Sequence, residues 1–279
     1  MSWLNVTLDQ LAKRPVCGYA RDGAPATEPT AMAAVALIAS GRQTDAQPAL
    51  AWLSRIQAAD GSVGIREGET PGWPTSLAVL TWHATRPAGA YKQQIDRAIA
   101  WILNAHGETM PRVAEFGHNT ELPGWSYADA TSCWIEPTAL HVTALKAIGH
   151  SQHARTRDGV RLLIDRLLAN GGCNYGNTVV LGQTLRPHVQ PTGIALLALA
   201  GETDPSGRIA KSIGWLRRSI GAETTSASLA WALLGLQAHG IRSPDAAAWL
   251  AAAYDRTSKS GSSPHKLALL ALAANGWPR

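Results

Sequence analysis

Two kinds of apolar segment alternate along the chain. The first is apolar nearly all round: AMAAVALIASG, SLAVLTWHA, ALHVTALKAIG, GIALLALAG, SASLAWALLGLQAHG and KLALLALAANG. A helix with no polar face has to be buried on every side. The second kind is one-sided, at Pro48 to Leu53, Ile95 to Ile102, Gly159 to Ile164, Ile209 to Leu216 and Asp245 to Leu250, and residues 2–13 carry a further amphipathic helix with Trp3, Leu4, Val6, Leu8 and Leu11.

Each all-apolar segment follows a related opening: Glu28-Pro29-Thr30, Trp73-Pro74-Thr75, Glu136-Pro137-Thr138, Gln190-Pro191-Thr192, Glu223-Thr224-Thr225 and Ser263-Pro264-His265. The third residues lie 45, 63, 54, 33 and 40 positions apart, a loose period in the range of repeat architectures. In the third copy Glu136 is expected to cap a helix whose first residue is Pro137, because proline lacks only an N–H that the first turn leaves unpaired. Gly149 is its expected stop.

Alternation of buried and one-sided helices is satisfied by an inner ring covered by an outer ring. The expected fold is all-α, a closed six-hairpin α/α toroid formed by residues 1–279 as a single domain. Its inner helices start near Glu28, Pro74, Glu136, Pro191, Thr224 and Ser263, and the N-terminal helix is the sixth outer member. Six helices packed at ~8–10 Å leave a channel roughly 3–5 Å in radius, suited to a narrow apolar chain. The least patterned stretch, residues 106–126, is long for an idle loop.

Composition narrows the classes of function. With 46% hydrophobic and 16% charged residues the chain is globular. The net charge of +5 is scattered, without a basic stripe interleaved with aromatics, so no nucleic-acid partner is expected. Cys17, Cys133 and Cys173 are odd in number and far apart, which argues against a disulfide framework and a CxxC metal site. No charged leader with an apolar core opens the sequence, and the longest apolar run, residues 31–39, is too short to span a bilayer. A cytoplasmic protein is expected, with peripheral membrane contact left open.

Candidate chemistry gathers at the helix openings, where shared helix direction would sum the dipoles of the inner N-termini. Glu28, Glu136 and Glu223 would stand there with Gln190. These carboxylates either complement the helix dipole, worth ~0.3–1 kcal/mol each, or include one acid driven to high pKa by apolar walls and ready to donate a proton. Glu136 is the first candidate for such an acid and Asp129 the second. Which stripe of this helix faces a cavity is open between Glu136, Leu140, Thr143, Ala147 and Thr138, Val142, Leu145. Trp73, Trp125, Trp134, His141 and Tyr175 either staple neighbouring hairpins or line the same cavity.

At these residues the chain resembles the prenyltransferase and squalene-cyclase repeat superfamily of α/α toroids. Glu223 to Gly240, ETTSASLAWALLGLQAHG, and Pro191 to Ala200, PTGIALLALA, are similar to neighbouring inner helices of the cyclases. Gln57 to Gly61 resembles the Gln-to-Gly half of their glutamine–tryptophan turn. Trp134 to Leu140 and Gly171 to Asn177 resemble small single-toroid bacterial members. Against the family pattern, the Asp-x-Asp-Asp acid motif is absent, Val63 and Cys173 stand where the turns usually have tryptophan, and His265 resembles the zinc histidine of protein prenyltransferases without its Asp-x-Cys partners. The resemblance therefore implies a metal-independent protein without a cofactor.

Three functions follow as expectations. The first is a terpenoid-cyclase-like protein that binds an isoprenoid in a central apolar cavity, with acid-initiated cyclisation, an isomerase or lyase reaction, as its chemistry. The second is a non-catalytic toroid for a lipid or protein partner. The third is a carbohydrate-active α/α toroid, using paired carboxylates or a lyase set such as His118, Asn119 and Tyr175; the apolar inner helices disfavour it. The Gly-Cys-Gly-Glu-Gln run of complement thioester proteins and a Gly-x-Ser-x-Gly elbow are both absent.

Overall fold

The computed structural model describes residues 2–70 and 72–278. Among them the buried helices are α2 (Thr27–Ala39), α4 (Thr75–His83), α6 (Ile135–Ala147), α8 (Val189–Ala198), α10 (Ser226–Ala238) and α12 (Pro264–Asn275). The one-sided helices are α1 (Trp3–Lys13), α3 (Gln43–Arg55), α5 (Lys92–Asn104), α7 (Ala154–Arg166), α9 (Arg208–Ser219) and α11 (Ala246–Lys259). The buried helices begin within two residues of the expected starts, because Ala- and Leu-rich runs have high helix propensity and no competing local structure. Gly41 and Gly149 follow the C-caps of α2 and α6 with φ of 74° and 89°. A side chain would find open space at both, so it is the left-handed backbone that calls for glycine there.

One element is not foreseen by the apolar pattern. Val179–Val180 (β1) and Gln183–Thr184 (β2) pair antiparallel, Val179 with Thr184 and Val180 with Gln183. Leu181 and Gly182 turn the hairpin with φ of 49° and 76°, the double positive φ of a two-residue turn. The hairpin is too short for sequence alternation to announce.

The chain divides into two compact units. The first comprises Met1–Asn104, Ala222–Ala230 and Pro244–Arg279, and the second Ala105–Gly221 and Trp231–Ser243. In the first, α2 packs between α4 and α12, and α1, α3, α5 and α11 cover these three helices. In the second, α6 packs on α8 with α7 and α9 behind them. Gly193 of α8 meets Trp231 and Gly235 of α10 backbone to backbone, where a Cβ would stand 2.4–2.5 Å from a carbonyl oxygen.

A single hydrogen-bonding device recurs in both units. The Thr30 hydroxyl takes the N–H of Cys17 at 3.1 Å and donates to its carbonyl. Thr75 takes the N–H of Val63, Thr138 that of Trp125 and Thr192 that of Cys173, at 2.8, 3.0 and 2.9 Å; Thr138 donates back to the Trp125 carbonyl, while Thr75 and Thr192 donate to the carbonyls of Gly72 and His188 at 2.5 and 2.6 Å. Each clamp ties the opening of a buried helix to the turn before it and satisfies two buried backbone groups. The turn residue contributes chiefly its backbone, so side chains as different as those of Val63, Trp125 and Cys173 serve there. The two Gly-containing turns also match: Gly61 and Gly171 have φ of 95° and 96°, and a Cβ would come within 2.2 and 2.4 Å of the Arg97 and Lys211 carbonyl oxygens.

Two expectations need correction. Helix α6 starts at Ile135 with Trp134 as its N-cap residue, so Glu136 does not cap it and Pro137 is its third residue. The first helical N–H donor is Thr138, to the Trp134 carbonyl, and proline is harmless at any position before that donor. On α6, Thr138, Val142 and Leu145 have no accessible surface. Along the other stripe Glu136 and Leu140 are buried and exposure begins at Thr143 and Ala147. Packing therefore consumes the opening half of this helix.

Candidate functional site

In the first unit α2 and α12 bring together Tyr19, Glu28 and His265. Glu28 is the second residue of α2 and is 9% exposed. Tyr19 donates its hydroxyl to Glu28 Oε2 at 2.5 Å, and His265 Nε2 stands 3.3 Å from Oε1. The Tyr19 and His265 rings meet edge to face at 5.3 Å. Burial raises the Glu28 pKa, but the charge of His265 and the bonds from His265 and Tyr19 outweigh it and hold the carboxyl below its usual range.

The second unit contains a matching corner. Glu136 is the second residue of α6 and 8% exposed, and Tyr127, nine residues before it, donates to its Oε2 at 2.6 Å. Tyr19 likewise precedes Glu28 by nine. One turn further along α6, His141 gives its Nδ1 proton to the Pro137 carbonyl at 2.6 Å and stacks on Trp125 at 5.1 Å. The Arg155 guanidinium lies 4.2 Å from the centre of the same Trp125 ring. Burial drives the His141 pKa down to about 4, with Arg155 adding to the fall, so His141 is neutral at physiological pH.

Beside this corner the second unit has a cleft of about 230 Å³. Met110, Phe116, Leu122 and Trp134 supply its apolar lining, and Arg166, His118, Glu108, Thr120, Ser132 and Asn177 its polar one. The cleft is bounded by the poorly patterned stretch after α5 and by the last residue of α7. Arg166 is 6% exposed and gives Nη1 to the Gly176 carbonyl at 2.6 Å. Asp165 Oδ2 is 3.6 Å from its Nε, beyond hydrogen-bond range. His118 is held through Nδ1 by Thr178, and burial, reinforced by Arg166, lowers its pKa. The Cys133 thiol is pushed up by burial and is neutral.

The remaining candidates are dispersed. Asp129 is exposed, and Glu223 is exposed in the turn before α10. Gln190 is half-buried as the second residue of α8, matching Glu28 and Glu136 in position. Trp73 is half-buried before α4, its carbonyl accepting from Ser76. Trp125 is 1% exposed and serves the stack and the Thr138 clamp. Tyr175 is 43% exposed with its ring against His188 at 5.3 Å, while His118 is bonded to Thr178 and the Asn119 N–H to Asp165. The sequence reading missed Arg166 and both tyrosine partners. A tyrosine nine residues before the glutamate in two copies was the available signal for the latter. All three thiols are free and buried, and those of Cys17 and Cys173 are pushed up to about 12 by burial. Among the described residues, no three His, Cys, Asp or Glu side chains gather as a metal site requires, and no helix is long and apolar enough to cross a membrane.

No family model matches the sequence, and no curated protein matches it. Solved structures do. A point mutant of Salmonella alpha-2-macroglobulin is similar with a TM-score of 0.53 at 12% identity, over 96% of this chain and 17% of that one. The Salmonella alpha-2-macroglobulin reacted with methylamine is similar with a TM-score of 0.54 at 11% identity, over the same shares. This chain thus spans about a sixth of the length of those proteins. At such identity the likeness concerns the fold alone, and with the alternating helices it places the chain in the all-α class of helical toroids.

Proposed function

We propose that the chain is a non-catalytic toroid, related to the terpenoid-cyclase repeat proteins, that holds an isoprenoid or similar apolar molecule in the cleft beside Trp134. The observation that carries the reading is the duplicated tyrosine–glutamate corner. Glu28 and Glu136 sit at the same place in their helices, nine residues after a tyrosine that bonds them. A catalytic acid is needed once; a device repeated at equivalent helix openings answers a need of the scaffold. Glu28, moreover, is held in the ionised form, the wrong form to protonate an alkene. Buried thiols pushed up to about 12 are equally poor nucleophiles at neutral pH.

The relation to the cyclase repeats rests on the threonine clamps and glycine turns, which recur at the motif positions. The apolar ligand class rests on the cleft walls, since Met, Phe, Leu and Trp offer contact area and few hydrogen bonds. Buried free thiols suit a reducing, cytoplasmic setting, with membrane contact at most peripheral and no nucleic-acid partner. Calorimetric titration with farnesol and with maltotriose tests the reading, followed by analysis of the recovered farnesol. Farnesol should bind in preference and return unchanged. Binding of maltotriose alone, or conversion of farnesol, would overturn it.

A further inference from the structure

We infer that the cleft recognises a carboxylate head on its apolar ligand, and that Arg166 is the residue that reads it; this rests on the cleft being the binding site. The Arg166 side chain is 6% exposed, and its Nη1 bond to Gly176 uses one of five guanidinium donors. Its Nε is buried without a hydrogen-bond acceptor among the described residues. A buried cation left short of acceptors is costly, and a carboxylate supplies the two parallel acceptors that match a guanidinium edge.

The surroundings choose among anions. Glu108 lines the cleft and Asp165 stands 3.6 Å from Nε, so a ligand carrying two or three negative charges, such as a diphosphate, would meet repulsion that a monoanion largely escapes. His118 and Cys133 are neutral by burial and add no second cation. A single guanidinium beside the apolar side chains of Met110, Phe116, Leu122 and Trp134 therefore fits a monocarboxylate with a hydrocarbon body. Arg157 and Arg161 on the same helix are more exposed and bonded directly to Glu202 and Asp158, whereas Arg166 is buried and its ion pair with Asp165, at 3.6 Å, includes no hydrogen bond.

The test uses geranate and geraniol, which share a ten-carbon skeleton and differ in the head. By calorimetric titration at pH 7.5 the wild type should bind geranate at least about tenfold more tightly than geraniol, as charged hydrogen bonds allow. Arg166→Gln should bring the two to equal affinity, and Arg166→Lys should keep part of the preference. Equal binding of both ligands by the wild type would overturn the carboxylate assignment while leaving the cleft as an apolar site. Binding of neither would overturn the cleft reading as well. If Arg166→Gln does not fold, the wild-type ratio and Arg166→Lys decide, and an undiminished preference in a folded Arg166→Gln protein would contradict the role given to Arg166.

Discussion

The two tyrosine–glutamate corners share a frame and differ in what surrounds it. Glu28 faces His265 at 3.3 Å and is held ionised. Beside Glu136 the nearby histidine, His141, is committed to the Pro137 carbonyl and to the Trp125 stack, and is held neutral. Sequence repetition has thus copied the hydrogen-bonded geometry of the helix opening without copying its electrostatics. Geometry is what a repeat must preserve to pack; the charge state of each copy is set by whichever side chains later elements deliver to it.

The widest separation between the corners should appear on acidification. Unfolded, His141 takes up a proton below about pH 6.5, but in the fold it resists until about 4. Its contribution is complete above pH 6.5 and is lost as the pH falls toward 4, amounting to about 3 kcal/mol. Chemical denaturation across this range should show that loss in the wild type and much less of it in His141→Phe. Glu28 behaves differently: its depressed pKa stabilises the fold above the usual carboxylate range and is lost only below it. Glu28→Gln should accordingly change the pH profile under about pH 4.

Breaking the shared frame should cost both corners alike. Thr30→Val and Thr138→Val each leave a buried N–H and carbonyl without their clamp, an expected loss of about 2 kcal/mol in urea denaturation. Thr225→Val, at an exposed residue whose hydroxyl bonds to its neighbour Ser228, should stay within about 0.5 kcal/mol. A smaller effect is expected from Tyr19→Phe and Tyr127→Phe, about 1 kcal/mol each. Tyr19→Phe should in addition raise the Glu28 pKa, observable by carboxyl NMR titration, because one of its stabilising hydrogen bonds is gone.

The helix plan was legible because all-apolar runs and Pro-Thr openings are properties of neighbouring residues. The clamps were half legible. Thr30, Thr75, Thr138 and Thr192 stood out, but Cys17, Val63, Trp125 and Cys173 share no side-chain chemistry, since the common bond is to their backbone N–H. Glu136 stands two residues further into the helix than its sequence suggests, because a Glu-Pro pair fits the second and third helical positions as well as the cap and the first. Arg166 was hidden among Arg155, Arg157 and Arg161 on a one-sided helix: burial of the last of them follows from the 106–126 stretch folding over it, which periodicity does not register.

On the proposed function Glu136 belongs to the scaffold and binding occurs without chemistry. Glutamine at position 136 keeps an acceptor for the Tyr127 hydroxyl and removes the acid. Titration of geranate into wild-type and Glu136→Gln protein, with chromatographic analysis of the ligand after prolonged incubation, tests this most directly. The expected result is affinities within about threefold and intact geranate from both proteins. A product formed by the wild type and absent with Glu136→Gln would contradict the account and make Glu136 a catalytic acid.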